Sequence, residues 1–295
     1  MSERMTVLKT YKLFIDGKFP RSESGRSMEV RTNAGDVHLC RASRKDLRDA
    51  VEAARRAQPG WARATAYLRG QILYRVAEMV EGKRRELAEA IAATGGKSAK
   101  AAKGRKTLSP EQEVTLAIDR LVHFAGWADK YAQVLGCNNP VAGPYYNFTV
   151  PEPMGVVAAL APDDRPLLGL VSVLAPAVVS GNAVVAVASS THPIPAAIFA
   201  EACATGDVPG GVVNILTGDR SELLPFVASH RDIDGVIAIN LSAAEGATLR
   251  KGVAENLKRV SIHEGVDLAD KNTCEHPWWI EPLVEMKTMW HPASV

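Results

Sequence analysis

Cys274 has the neighbours of a nucleophile: Glu275 and His276 follow it directly, and His263 precedes it. A thiol within reach of an imidazole or carboxylate base is the arrangement of covalent catalysis. The plainer reading is an ordinary thiol in a linker, because the surrounding sequence supplies neither an oxyanion hole nor a thiolate-stabilising site. A second group of chemically able residues is Asp163-Asp164-Arg165 together with Asp219-Arg220. These either converge on a polar site or stand as solvated ion pairs. The run from Lys97 to Lys106 could meet an acidic partner or simply form a solvated linker or helix face. Cys40, Cys137, Cys203 and Cys274 are far apart, with no CxxC pair and no metal-ligand spacing, which fits reduced thiols in a cytoplasm.

The elements that must position these residues lie between Met154 and Ile262. Apolar runs at Met154–Leu160, Ala183–Val187, Gly211–Leu216, Gly235–Ile239 and Arg259–Ile262 read as strands buried on both faces. Helical segments at Pro166–Val179, Pro193–Thr205, Ser221–His230 and Ala243–Asn256 alternate with them. That alternation predicts an α/β fold: a Rossmann-like parallel five-stranded sheet with helices on both faces. Its ligand would lie beyond the strands' carboxyl ends, at the loops Ala161–Arg165, Ala188–His192, Thr217–Arg220 and Asn240–Ala244.

Before the sheet, Leu13–Phe19 reads as a hairpin turning at Asp16-Gly17, and Met28–Arg31 with His38–Arg41 as a second around Asn33–Gly35. Ser43 is the expected N-cap of a helix Lys45–Ala57 that Pro59-Gly60 should end. Ala66–Glu81 and Arg84–Ala93 follow as helices, then the Gly/Lys-rich stretch Thr94–Lys106 and a long helix Pro110–Val134. Cys137–Pro144 reads as a loop, and Tyr145–Val150 and Leu283–Trp290 as protruding strands. The expected divisions are 1–134 (hairpins and helices), 135–150 (first protruding strand), 151–265 (the Rossmann-like domain) and 266–295 (linker and last strand). A chain of 295 residues, 46% hydrophobic, buries a large core, and a net charge of +2 implies no nucleic-acid or membrane partner. The opening residues carry no apolar h-region, so no secretory signal is expected, and the localisation expected is cytoplasmic.

Several segments stand in a telling order. They are Leu13–Lys18, the Asn33–Gly35 turn, Ala50–Ala57, Gly126–Asp129, Pro153–Val157, Gly181–Val185, Val208–Ile215 and Leu257–Val260. Together they resemble the aldehyde dehydrogenase superfamily over roughly residues 10–265. The resemblance implies a dinucleotide-binding domain, NAD(P) as cofactor and strands that assemble subunits.

The departures from that family fall on its chemistry. Its Pro-Trp-Asn-Phe-Pro turn, whose Asn helps hold the oxyanion, reads Pro162–Pro166 here, with Asp164 at the Asn; a carboxylate there would repel a developing oxyanion. Its Lys-Pro-Ser-Glu ribose clamp reads Val187-Ala188-Ser189-Ser190, leaving Ser189. Its Phe-Thr-Gly-Ser turn reads Ala238–Leu241, with Asn240 for the Gly that lets pyrophosphate approach. Ser189, Asp219 and Asn240 are therefore the residues left for a cofactor, whose binding is expected to be weak or absent. The Glu-Leu-Gly-Gly that carries the general base reads His263–Val266: ungapped, His263 takes the base position, and a one-residue slip puts Glu264 there.

In the family a nucleophilic cysteine follows within a catalytic domain. Here the chain passes to Leu283–Trp290, which resembles the family's oligomerisation strand. The expectation is an internally deleted, pseudoenzyme-like subunit, not an enzyme on its own. It would act through assembly, as a homodimer by default or with a full-length aldehyde dehydrogenase. One alternative is an NAD(P)-dependent aldehyde oxidoreductase using a nucleophile from Cys274 or a partner chain; another is a dinucleotide-binding regulatory module. Trp278-Trp279 should cover a bared surface or enter a subunit interface.

Overall fold

Strand and helix alternate in space as they do in the chain, in a computed structural model that describes residues 9–32, 35–93 and 107–293. The Asn33-Ala34 turn and the whole Thr94–Lys106 stretch lie outside the described residues.

At Asp16-Gly17 both residues have positive φ (56° and 72°), and Ile15 and Lys18 exchange backbone hydrogen bonds, as a type I′ hairpin requires. β1 (Thr10–Tyr11), β2 (Ser27–Thr32) and β3 (Gly35–Cys40) form a small sheet in the order β1-β3-β2. Ser43 caps α1 (Arg44–Arg63) in a reciprocal box with Asp46. Contrary to the expected stop, α1 runs through Pro59 to Arg63. Its last turn is held from outside, because Trp61 is buried and donates Nε1–H to the carbonyl of Val178 at 2.8 Å. α2 (Ala66–Gly82) and α3 (Arg84–Ala93) are separated at Lys83, one residue after the Gly82 expected from sequence.

The long helix expected over 110–134 is two, α4 (Pro110–Trp127) and α5 (Tyr131–Leu135). Lys130 folds back and donates Nζ to Gly126 O (2.6 Å), satisfying an end carbonyl of α4. The segment read as a loop after Cys137 contains β4 (Cys137–Asn139), which pairs with β5 (Tyr145–Pro153). Its polar residues show no alternation, so it carries no strand signal of its own.

Next come β6 (Val156–Leu160), α6 (Pro166–Val179), β7 (Ala183–Val187), α7 (Ile194–Thr205) and β8 (Val213–Leu216). They are followed by α8 (Arg220–Ser229), β9 (Gly235–Ile239), α9 (Ala243–Gly252) and β10 (Arg259–His263). The strands form a five-stranded parallel sheet in the order β10-β9-β6-β7-β8. Alternate residues serve opposite faces. Val157, Ala159, Val184 and Ala186 face the core shared with α2, α4, α6 and α7, while Ala158, Leu160, Val185 and Val187 face that of α1 and α8. The free edge of β8 is covered by the first hairpin, since Phe14 and Ile215 exchange backbone hydrogen bonds.

The last segment is not a loose linker. Leu268, Cys274 of the short α10 (Lys271–Cys274), Trp279, Ile280 and Leu283 all enter the main core. Trp279 covers the chain's own surface, while Trp278 stays half exposed. β11 (Val284–Pro292) then pairs antiparallel with β5 from Val284↔Pro153 to Pro292↔Tyr145. The result is a three-stranded ribbon, β11-β5-β4, with exposed Tyr145, Tyr146, Met286 and Trp290. Such a ribbon is like the arm through which members of oligomeric families pair.

Candidate functional site

An open parallel sheet binds ligands beyond the carboxyl ends of its strands, where the strand order reverses. Here that reversal falls between β6 and β9. Arg220, the first residue of α8, lies across the loops at these ends and is only 6% exposed. Its guanidinium donates from Nη2 to Asp163 Oδ2 (2.7 Å), from Nε to Glu245 Oε1 (2.7 Å) and from Nη1 to the carbonyl of Ala161. Asp163 Oδ1 accepts from Ser189 Oγ (2.6 Å) and Ser190 N (2.8 Å), and Arg220 N donates to Ser190 Oγ (3.0 Å). One cation thus clasps the ends of β6, β7 and β8 to the first turn of α9. Burial alone would raise the carboxyls of Asp163 and Glu245, but the charge and hydrogen bonds of Arg220, with the serine donors, outweigh it and hold both below their usual range. Beside the clasp is a cavity of about 340 Å³ lined by Met28, Arg41, Ser190, Gly218 and Asp219. Arg41 Nε is buried there without a hydrogen-bond partner among the described residues.

Behind the β6–α6 loop stands Glu113 of α4. Its carboxylate is 3% exposed and accepts from Leu167 N (3.0 Å) and Leu168 N (3.3 Å), amides of the first turn of α6. Burial pushes it up to about 7, against the pull of those amides and of Arg165. Periodicity alone does not single out Glu113, yet it shares the buried face of α4 with Ala117, Leu121 and Phe124, where a carboxyl needs a partner.

The residues expected from sequence are scattered. Asp163 and Arg220 meet, but Asp219 does not join them: it caps α8 by accepting from Ser221 N (2.9 Å) and faces Arg41 at 3.7 Å. Asp164 is half-buried in the loop before Arg165, the N-cap of α6. Ser189 is spent on Asp163 and on the amide of His192. Asn240 takes a left-handed φ of 52°, the conformation a Gly would supply, and its amide exchanges two 3.0 Å hydrogen bonds with the backbone of Val266. His263 stacks on Trp279 at 4.0 Å, its pKa lowered by burial, and Glu264 is exposed in an ion pair with Arg250. Cys274 is in the core, and burial pushes its thiol up to about 11, the reverse of what a nucleophile needs. Cys40 and Cys203 are also buried, while Cys137 is exposed on the ribbon. Among the described residues no group of three or more His, Cys, Asp or Glu could hold a metal ion, and no helix is long and apolar enough to cross a membrane.

Residues 21–267 match the family model described as "Aldehyde dehydrogenase family". The chain belongs to that family. It is 31% identical over 261 residues to the putative aldehyde dehydrogenase DhaS of Bacillus subtilis, covering 87% of this chain and 50% of DhaS. It is 34% identical over 265 residues to retinal dehydrogenase 2 of Mus musculus, covering 88% and 49%. Its fold is similar to the NAD+ complex structure of aldehyde dehydrogenase from Bacillus cereus, with a TM-score of 0.78 and 28% identity over 87% of this chain and 51% of that one. The chain thus spans about half the length of the curated relatives it matches. This kinship corrects the expectation that the chain is not an enzyme on its own. Relatives that are dehydrogenases by name, together with an intact five-stranded dinucleotide-type sheet, argue for retained catalytic potential of the aldehyde dehydrogenase framework, not for its loss.

Proposed function

We propose that the chain is the dinucleotide-binding half of an NAD(P)-dependent aldehyde oxidoreductase, with its nucleophilic thiol supplied by a partner chain. The observation that carries this is the parallel sheet with its reversal between β6 and β9, in a fold similar to an NAD+ complex. The thiol is assigned to a partner because Cys274, the candidate in this chain, lies in the core with its pKa raised. The residues at the strand ends fit a dinucleotide in part. Arg41 and Ser190 line the cavity where its phosphates would be held, and Arg220 is joined to Ser190 by its backbone N–H. When bound, the nicotinamide supplies the hydride acceptor. The chain's own residues orient and enclose: Glu113 fixes the start of α6 behind the Asp164 loop, and Asn240 locks the turn after β9.

Affinity for the cofactor should be low. Val187 and Ser190 replace charged anchors whose hydrogen bonds contribute ~1.5–3 kcal/mol each. Two such losses move a micromolar constant to the millimolar range, at about 1.4 kcal/mol per tenfold. The ribbon β11-β5-β4 is the proposed assembly surface, for a second copy or a full-length relative. The test is aldehyde-dependent reduction of NAD or NADP, followed by nicotinamide absorbance, for the chain with proteins that copurify with it. Turnover that survives Cys274→Ala supports the partner's thiol; its loss in that variant assigns the nucleophile to Cys274. Absence of any aldehyde-dependent reduction in the assembled protein would count against the whole reading.

A further inference from the structure

At the centre of the clasp a carboxylate sits in a seat made for an anion. Asp163 Oδ1 is met by Ser189 Oγ at 2.6 Å and by the consecutive amides of Ser190 and Thr191 at 2.8 and 3.4 Å. Its Oδ2 is met by Nη2 of Arg220 at 2.7 Å. Ser189 and Arg220, two of the donors, are themselves buried. Consecutive amides, a hydroxyl and a guanidinium converging on one pair of oxygens are the donor set that suits a phosphate. The seat opens beside the cavity of about 340 Å³ at the carboxyl ends of β7 and β8, the side on which such a sheet takes its ligand. Glu245 of α9, outside the 161–165 loop, holds Nε of Arg220, so the guanidinium stays aimed when Nη2 changes partner.

We infer that Asp163 is the chain's own stand-in for a ligand phosphate: the seat of Ser189, Ser190, Thr191 and Arg220 takes a phosphate group when the 161–165 loop withdraws Asp163, so that carboxylate and phosphate compete. The dinucleotide reading bears only on where the phosphate comes from. Free phosphate and the pyrophosphate of NAD share the chemistry, and the two are titrated separately.

The full chain and its Asp163→Ala variant are titrated calorimetrically with inorganic phosphate, then with NAD, at fixed low ionic strength, with thermal unfolding as the check of fold. Asp163→Ala should bind phosphate about tenfold or more tighter than the native chain, and adding Arg220→Gln should remove the gain. Asp163→Asn, which keeps the volume and one acceptor, takes its place if the alanine variant unfolds, and should give a smaller gain of the same sign. Equal phosphate affinity in the folded variant and the native chain overturns the inference, whatever NAD does. A phosphate gain with no NAD binding in either chain leaves the seat standing and removes the dinucleotide as its source. A phosphate gain with tight NAD binding unchanged by the variant upholds the cofactor reading and the seat, and shows that NAD is not the source of the phosphate that competes with Asp163.

Discussion

Glu113 and Arg220 are two buried ionisable residues at the strand ends, and they act with opposite energetics. Folding favours the neutral form of Glu113, since its pKa rises from 4.5 to about 7 as desolvation outweighs the α6 amides. The native chain therefore binds more protons than the unfolded chain between those values, and stability falls as pH rises through that window. Glutamine keeps the carbonyl acceptor for Leu167 N and Leu168 N but cannot ionise. Urea unfolding at pH 5 and pH 8 should show the native chain losing up to roughly 3 kcal/mol across the window and Glu113→Gln losing much less. Parallel slopes would refute the assignment. Arg220 is paired on both sides, so Arg220→Met leaves Asp163 and Glu245 facing each other without a cation. Removing one member of a buried network costs ~3–5 kcal/mol, and the one-third exposure of Asp163 reduces this to roughly 2–3. A lowered urea midpoint with unchanged slope is the expected reading.

At the scale of elements, the end of α1 and the start of β8 are fixed by contacts with other elements. α1 tolerates Pro59 because Trp61 is anchored to α6, which makes the last turn of α1 a tertiary structure more than a helical one. β8 starts at Val213 because Gly211 bends the chain at φ 83°, where an added Cβ would lie 2.5 Å from the carbonyl of Ala53 in α1. The segment between β10 and β11 is held by Trp279, which stacks on His263 and donates Nε1–H to Thr273 O at 2.8 Å. Trp279→Ala should destabilise the chain by about 3–5 kcal/mol, as loss of a buried aromatic does. It should also speed hydrogen exchange over 266–283 more than over β6 and β7. Uniform acceleration across the sheet would mean that this segment is not a separate unit.

For the molecule as a whole, the ribbon is the feature that the sheet does not require. β5 and β11 pair along their full length, and Thr149 and Thr288 join hydroxyls across them at 2.8 Å, yet Tyr146 and Trp290 remain more than half exposed. Tyr145 meets Trp290 edge-on at 5.9 Å, so this aromatic cluster is ordered without being buried. A small ribbon with apolar side chains in water gains by covering them against another chain. Light scattering should give a dimer or larger assembly for the full chain, and a monomer or an aggregate after deletion of 284–295. A monodisperse monomer of the full chain at high concentration, with no partner in a pull-down, would exclude the ribbon as an assembly surface.

Features of short range were legible in the sequence. The strand runs, the Asp16-Gly17 turn, the Ser43 cap and the alternation behind the parallel sheet depend on periodicity and on residues a few positions apart. The 145–150 and 283–290 segments were legible as protruding strands, and the structure pairs them with each other. The expectation of lost catalysis came from residue identity at four short motifs and from the passage to Leu283–Trp290 where the family's nucleophile segment is expected, and kinship across 21–267 argues against it. The sequence could not reveal the partners of charges. Asp163, Arg220 and Glu245 come from three different loops and helices, and nothing in their spacing says that one cation will bridge them. Glu113 acquires its raised pKa only from the desolvation around it, which outweighs the pull of the α6 amides, and Cys274 its inertness only from the core it enters. Local preference is written into the backbone, whereas burial and electrostatics belong to whatever the fold brings alongside.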